Sequence, residues 1–335
     1  MSYKIDKNAR CAIIGHGSWA TALVKVLLEN ETSVGWYIRN PEIMEYVKKN
    51  KKNPKYLRDV HFYTPHLNMS DDINEVADNA DIIILAVPSA FLKEVLRPLT
   101  VSLREKFIIS AIKGIVIGEY ITVAEYLNQA YRLPFDQIGI VSGPSHAEEV
   151  ALEKLSYLTI VCKDHDNAVV IGEKLQTGYI YVRHSTDIYG TEYAAVLKNI
   201  YAIAVGICVG LGYGDNFMAV LIANCAMEMD KFINESYPYE RNLDASVYLG
   251  DLLVTSYSRF SRNRTFGIMM GKGYTVRSAQ IEMSMVAEGY YGANCIRQVN
   301  RNFNISLPIA DMVYRILYED AVPILEVRNL AKTLI

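Results

Sequence analysis

Arg10–Leu23, RCAIIGHGSWATAL, is the stretch that decides the fold. Cys11, Ala12, Ile13 and Ile14 form an unbroken apolar run, the pattern of a parallel strand buried on both faces. It stops at Gly15 and Gly17, and an apolar-periodic helical segment begins at Trp19 and runs to about Glu29-Asn30. The order is strand, tight turn, helix. Glycines at these two places let the backbone turn sharply and approach a pyrophosphate, while unpaired N–H groups at the helix start attract its charge. Ala20 takes the third place of the G-x-G-x-x-G/A pattern and is small enough for helix and strand to pack closely. A Gly-x-Gly also punctuates ordinary turns; its position after a buried strand is what points to a dinucleotide.

The bulk properties narrow the classes. At 335 residues, two domains are the expectation. A composition 51% hydrophobic and 21% charged is that of a folded chain. A formal charge of -3 offers no general attraction to nucleic acid or an anionic membrane, so any anion must be held locally. Cys11, Cys162, Cys208, Cys225 and Cys295 are far apart, set mostly in apolar segments and lack C-x-x-C spacing, which reads as buried, reduced thiols of a cytoplasmic protein. The six histidines show no ligand spacing, and no metal site is expected. Met1–Asn8 is polar, so no signal peptide is expected. The longest uncharged apolar run, Ile200–Leu211, is too short to span a bilayer and reads as a core helix.

Along the chain, Ser33–Ile38 reads as a second strand ending at Arg39. An acid there would bind a ribose 2′-hydroxyl, whereas Arg39 accommodates a 2′-phosphate or is simply a solvated charge; NAD and NADP both stay open. The basic run Lys48, Lys49, Lys51, Lys52, Lys55, Arg58 reads as a helix C-terminus and exposed loop, with steering of an anionic cofactor as the second reading. A third strand is expected near His61–Thr64, then a helix opened by Ser70, Asp71 and Asp72. Asp81–Val87 is the strongest strand pattern, stopped by Pro88; Pro88 and Ser89 should border the cofactor beyond the strand's carboxyl end, though Ser89 also suits a helix cap. Phe107–Ala111 and Gln137–Val141 are further strands, followed by Lys113-Gly114 and by SGPSHAEEV, residues 142 to 150. Ser145 with Glu148 fits a capping box. Tyr157–Val161, a helix from Asp164, and Tyr179–Arg183 complete an α/β region.

From Tyr189 the pattern is helical. Lys198 and Asn199 sit inside the otherwise apolar helix Tyr193–Val209, where a lysine costs desolvation unless a partner or ligand meets it or a narrow exposed stripe takes it. Phe217–Phe232 is rich in methionine and reads as core or a helix-pairing surface. Gly250–Gly267, GDLLVTSYSRFSRNRTFG, places Asp251, Thr255, Ser261, Arg262, Asn263 and Arg264 around a turn. Its forked and short donors suit a phosphate, or a solvated basic loop. Val286, Ala287, Glu288 and Gly289 then lead into the last helices and add one candidate acid.

These pieces together resemble the NAD(P)-dependent glycerol-3-phosphate dehydrogenases of bacterial type almost end to end. They are GHGSWATAL (15 to 23), VPS (87 to 89), KG (113 to 114), SGPSHAEEVA (142 to 151), LKN (197 to 199), GYGDN (212 to 216), GDLLVTSYSRFSRNRTFG (250 to 267) and AEG (287 to 289). The resemblance implies that Lys198 is the proton donor and acceptor and that Lys113 and Asp251 complete the catalytic site. It implies substrate binding by Lys113, Gly143, Ser145, Lys198, Asn199, Asp251, Ser261, Arg262 and Asn263. The cofactor residues it implies are Gly15, Gly17, Ser18, Trp19, Arg39, Pro88, Lys113, Ala147, Arg262, Val286 and Glu288. His146 and Ser256 depart from the family's usual residues at positions the chemistry does not need.

The resulting expectation is a Rossmann-type doubly wound sheet over residues 1–187, with an all-helical substrate domain over 188–335, as in 6-phosphogluconate dehydrogenase-like proteins. The expected activity is an oxidoreductase interconverting sn-glycerol 3-phosphate and dihydroxyacetone phosphate with NAD or NADP, feeding phospholipid synthesis. A cytoplasmic homodimer with no nucleic-acid partner and no membrane segment completes the expectation.

Overall fold

The computed structural model describes residues 3–283 and 287–335. Its chain divides into two compact units, residues 1–112 with 123–188, and residues 113–122 with 189–335.

The first unit is built on β1 (Cys11–Ile14), α1 (Ser18–Asn30), β2 (Val34–Tyr37), α2 (Pro41–Asn50), β3 (Leu67–Ser70), α3 (Ile73–Asp78), β4 (Ile82–Leu85), α4 (Leu92–Leu96), β5 (Phe107–Ser110), α5 (Val123–Tyr131), β6 (Ile138–Ser142), α6 (Ala147–Ala151), β7 (Ser156–Cys162), α7 (His165–Leu175) and β8 (Ile180–Ser185). They make one 8-stranded sheet in the order β3-β2-β1-β4-β5-β6-β7-β8. Every pairing is parallel except β6 with β7. The strand order reverses at β1, which lies between β2 and β4, and a ligand crevice opens beyond the carboxyl ends of strands at such a point. The apolar runs of β1, β4 and β5 are buried at every residue, which explains why they lack polar alternation.

The third strand lies at Leu67–Ser70 and not at His61–Thr64. Pro65 sits in a 3-10 turn over Thr64–His66, and the ladder with β2 begins only after it, at Leu67 opposite Val34. Ser145 does not cap a helix. Its hydroxyl donates to the Gly143 carbonyl at 3.0 Å, and α6 starts after His146 without a side-chain cap bond. Asp72 and Asp164 do cap α3 and α7.

The second unit holds α8 (Ile188–Gly210), α9 (Asp215–Ser236), α10 (Asp251–Tyr257), α11 (Arg262–Gly271), α12 (Val276–Glu282), α13 (Glu288–Val299), α14 (Pro308–Tyr318) and α15 (Pro323–Leu330). The helix α8 is long and apolar enough to cross a membrane, but 89% of its most apolar window is buried inside the fold. It is the core helix, with Leu197, Ile200, Tyr201, Ile203, Ala204, Ile207 and Cys208 all fully enclosed. Glu228 on α9 is a buried carboxylate that accepts the Ile309 and Ala310 N–H groups at 2.8 and 2.9 Å, and so closes the start of α14. Burial raises its carboxyl to about 7.

A single division at residue 187 does not describe these units, because residues 113–122 fold with the helices. Ile115 is buried in the helical core, and Asn199 Nδ2 holds the Lys113 carbonyl at 3.0 Å.

Two glycine pairs set the spacing of α8 and α11. A Cβ at Gly206 would run into the Arg264 carbonyl, one at Gly210 into that of Ile268, one at Gly267 into that of Ile203 and one at Gly271 into that of Ile207. The two backbones therefore touch, and no larger residue lets them approach this closely. Gly267→Ala should lower unfolding stability by about 3 kcal/mol, the cost of overpacking a rigid contact. Urea unfolding checks this, and a change below about 0.5 kcal/mol would show that the contact relaxes freely.

Candidate functional site

The loop after β1 turns at Gly15, whose φ of +124° is one that side chains rarely adopt. A Cβ there would also strike the Ala86 carbonyl, so the glycine lets the loops after β1 and β4 meet. At Gly17 a Cβ would meet nothing within 4 Å, which leaves open space directly before α1. The helix begins without a side-chain cap bond, with buried Ser18 first and Trp19 next. The Trp19 indole N–H is buried and has no hydrogen-bond partner among the described residues. An open approach, an uncapped helix start and an unused donor suit a phosphate-bearing dinucleotide.

At the carboxyl end of β2, His16, Arg39, Asn40, Pro41 and Lys55 line a cavity of about 520 Å³. Arg39 also forms an ion pair with Glu94 at 2.7 Å, and both side chains are half exposed. Burial, with Arg39 and Lys55 nearby, holds the His16 imidazole below its usual range, so this cavity gains no imidazolium at neutral pH. Pro88 precedes a 3-10 turn that begins at Ser89, after β4. Gly143 follows β6 with φ +113°, and a Cβ there would lie 2.8 Å from the Tyr157 carbonyl. Ala147 opens α6 and is buried.

The helical unit brings three charged groups together. Asp251 Oδ1 meets Lys198 Nζ at 2.5 Å, and Oδ2 meets Lys113 Nζ at 3.3 Å. Asp251 and Lys198 are almost wholly buried, whereas the Lys113 side chain is 20% exposed. Asp251 begins α10 immediately after a π-helical turn, Ser246–Gly250, and four residues on Thr255 stands on the same face. Lys198 Nζ donates to Thr255 Oγ1 at 3.2 Å, and that hydroxyl donates to the Asp251 carbonyl at 2.6 Å.

One carboxylate thus serves two ammonium groups. Burial lowers Lys198 to about 7; attraction to Asp251 opposes this and repulsion from Lys113 adds to it. Burial alone would raise Asp251, but the two lysines outweigh it and keep the carboxyl below its ordinary range. Of the three groups, the Lys198 amine is the one brought close to neutrality, while the buried Asp251 carboxyl stays ionised.

Asn199, next to Lys198, uses its Nδ2 on the Lys113 carbonyl and accepts Asn263 Nδ2 at 2.8 Å. Asn263 Oδ1 in turn accepts the Gly289 N–H at 2.9 Å. A Cβ at Gly289 would strike the Asn199 carbonyl, so α13 starts in contact with α8. Expected as a substrate ligand, Asn263 is mainly a brace between helices and keeps at most one N–H for a ligand. Ser261 caps α11 by accepting the Arg264 N–H at 3.3 Å, which puts Arg262 at the helix start. Arg262 and Arg264 leave the helix about 200° apart. Glu288 opens α13, and Val286 lies outside the described residues.

The expected residues therefore form two groups. Lys113, Lys198, Asn199, Asp251 and Asn263 are joined by direct bonds in the helical unit. Gly15, Gly17, Ser18 and Trp19 form the turn beside β1 in the sheet unit, where Arg39, Pro88, Gly143, Ser145 and Ala147 also lie. Thr255 was visible only as a member of a polar stretch; its i,i+4 spacing from Asp251 was the signal for its part in the triad.

The sequence profile described as the N-terminus of NAD-dependent glycerol-3-phosphate dehydrogenase matches residues 10–168, and the one for its C-terminus matches residues 187–327. A glycerol-3-phosphate dehydrogenase [NAD(P)+] of Clostridium botulinum is 31% identical over 96% of this chain and 97% of its own. One from Agathobacter rectalis is 34% identical over 93% of this chain and 92% of its own. The crystal structure of glycerol-3-phosphate dehydrogenase from Coxiella burnetii superposes with a TM-score of 0.89 at 28% identity, covering 97% of this chain and 99% of that one. With the glycine turn in one unit and the lysine–aspartate–lysine cluster in the other, the chain belongs to the NAD-dependent glycerol-3-phosphate dehydrogenase family.

Proposed function

We propose that the protein interconverts dihydroxyacetone phosphate and sn-glycerol 3-phosphate with NAD(H) or NADP(H), and that it supplies glycerol 3-phosphate for phospholipid synthesis. The observation that carries this reading is the buried Lys198 amine, brought near neutrality while held at 2.5 Å by Asp251. The turn at Gly15 and Gly17, the start of α1 and the Trp19 N–H would hold the dinucleotide. When bound, that cofactor supplies or takes the hydride.

The residues of the chain do the rest. Hydride arrival at the carbonyl carbon places negative charge on the carbonyl oxygen. Lys198 donates a hydrogen bond to that oxygen and then its proton, and in the reverse direction the neutral amine removes the hydroxyl proton. Asp251 holds the amine in place, and Lys113 adds positive potential beside the developing oxyanion. Arg262 takes the phosphate with its forked donors, and this remote binding orients the carbonyl. Gly143 and Ser145 complete the substrate pocket in this reading, and Val286 and Glu288 the cofactor pocket. The assembly in this reading is a homodimer, which a single-chain mass by sedimentation equilibrium would refute. Five buried, unpaired cysteines support a cytoplasmic location, and targeting of a tagged full chain checks it.

The test is oxidation of NADH and of NADPH, separately, with dihydroxyacetone phosphate and with unphosphorylated dihydroxyacetone. Turnover with the phosphoester, competed by inorganic phosphate, is expected. Equal use of both ketones, or no turnover with either reduced cofactor, would overturn the reading.

A further inference from the structure

Asn53 lies in the lysine-rich stretch after α2, where nothing in the sequence distinguishes it, yet only 1% of it is exposed. Its amide is fully used. Nδ2 donates to the His16 carbonyl at 3.2 Å and to Thr21 Oγ1 at 2.9 Å. Oδ1 accepts the Lys55 and Tyr56 N–H groups at 2.9 and 3.1 Å. Thr21, itself fully buried on α1, donates from Oγ1 to the Gly17 carbonyl at 2.8 Å. One buried side chain thus ties the glycine turn, the first turn of α1 and the basic loop together.

The His16 carbonyl and the Gly17 N–H belong to one planar trans peptide, in which C=O and N–H point in opposite directions. Holding the carbonyl therefore aims the N–H. Gly17 would otherwise leave that peptide loosely set, since glycine has little torsional preference and its surroundings are open. The Oδ1 bonds act on a second part of the cofactor region, because they set the turn that carries Lys55, which lines the cavity with His16 and Arg39.

We propose that Asn53 is a positioning residue for the dinucleotide: it orients the Gly17 N–H toward the pyrophosphate and places Lys55 at the cavity beyond β2. The proposal rests on the reading that the glycine turn receives the dinucleotide. No atom of Asn53 need touch the cofactor. A preset donor raises affinity because its orientation is settled during folding and not during binding.

The experiment measures the NADH dissociation constant by fluorescence titration of the full chain, with the KM for dihydroxyacetone phosphate and the thermal midpoint for each variant. Asn53→Ala should weaken NADH about tenfold, the effect of losing one or two neutral hydrogen bonds, while the KM for dihydroxyacetone phosphate at saturating NADH moves less than about twofold. Asn53→Asp keeps the shape but turns an oxygen toward the His16 carbonyl, and should weaken NADH at least as much. A folded variant of either kind with parental NADH affinity would overturn the proposal, as would equal losses for NADH and for the phosphoester. Should neither fold, Thr21→Val is read against the same threshold, since it removes one anchor of Nδ2 at nearly constant volume. Gly17→Val separates the two readings. The space is open, so the variant folds, and its side chain fills the approach to α1. If NADH binding survives Gly17→Val, the glycine-turn reading fails and the Asn53 proposal with it. If binding is lost there but persists in Asn53→Ala, only the positioning role fails.

Discussion

Lys198→Ala is expected to fold, to bind NADH with parental affinity, and to reduce dihydroxyacetone phosphate about 100 to 10,000 times more slowly, the range for loss of a positioned acid. Folding survives because the change leaves no buried charge alone. Asp251 keeps Lys113 as its partner at 3.3 Å, and the site sheds an ammonium that was costly to desolvate. The pH dependence carries a second signature. In the parent, kcat/KM for ketone reduction needs the ammonium and should fall as pH rises through about 7; alcohol oxidation needs the free amine and should rise through the same range. Both limbs should vanish in Lys198→Ala. Turnover within about threefold of the parent, or an unchanged limb near 7, would show that another group moves the proton.

Asp251→Asn, nearly isosteric, should be the most damaging single change to the site as a unit. It takes from the almost wholly buried Lys198–Asp251 pair the negative charge that Lys113 also meets at 3.3 Å. Removing one partner of a buried ion pair costs about 3–5 kcal/mol, and the variant can escape part of that cost only by expelling a proton from Lys198. Stability and the reduction limb should therefore move together. The thermal midpoint drops, and the fall in reduction rate shifts to lower pH by a unit or more, because the attraction that opposed desolvation of Lys198 has gone. A reduction limb left in place would mean that Asp251 has no electrostatic hold on the amine, whatever happened to the midpoint.

The legible features were those whose cause is local. An apolar run broken by two glycines and followed by a helical period specifies β1, its turn and α1 with little help from elsewhere. The run at Ile82–Leu85 did the same for β4, and the helix starts near Ser70–Asp72 and at Asp164 were readable because a cap bond spans only a few residues, with Asp72 and Asp164 proving to be the caps. A lysine inside an apolar helix was suspicious by itself, since its desolvation demands a partner. Ser145 misled for the same reason. Local spacing suggested a cap, but the helix starts one residue later, with His146 at the cap position, and the Ser145 hydroxyl turns back to the Gly143 carbonyl. The third strand was misplaced because an extended segment becomes a strand only where a ladder partner exists, and β2 supplies one from Leu67 onward.

What the order of residues settled alone was the doubly wound sheet with its glycine turn, the helical second half, and a set of polar side chains, Lys198 among them, that need partners in an apolar setting. Those follow from periodicity, from glycine's lack of a side chain, and from the cost of burying charge. Only the tertiary structure decided which of those side chains act on each other. Lys113 reaches Asp251 across 138 positions and Asn53 reaches His16 across 37, and no pattern within a turn or a strand encodes such pairs. Their geometry depends on backbones brought into contact, as at the glycines of α8 and α11, and close packing of that sort is a property of the folded chain as a whole.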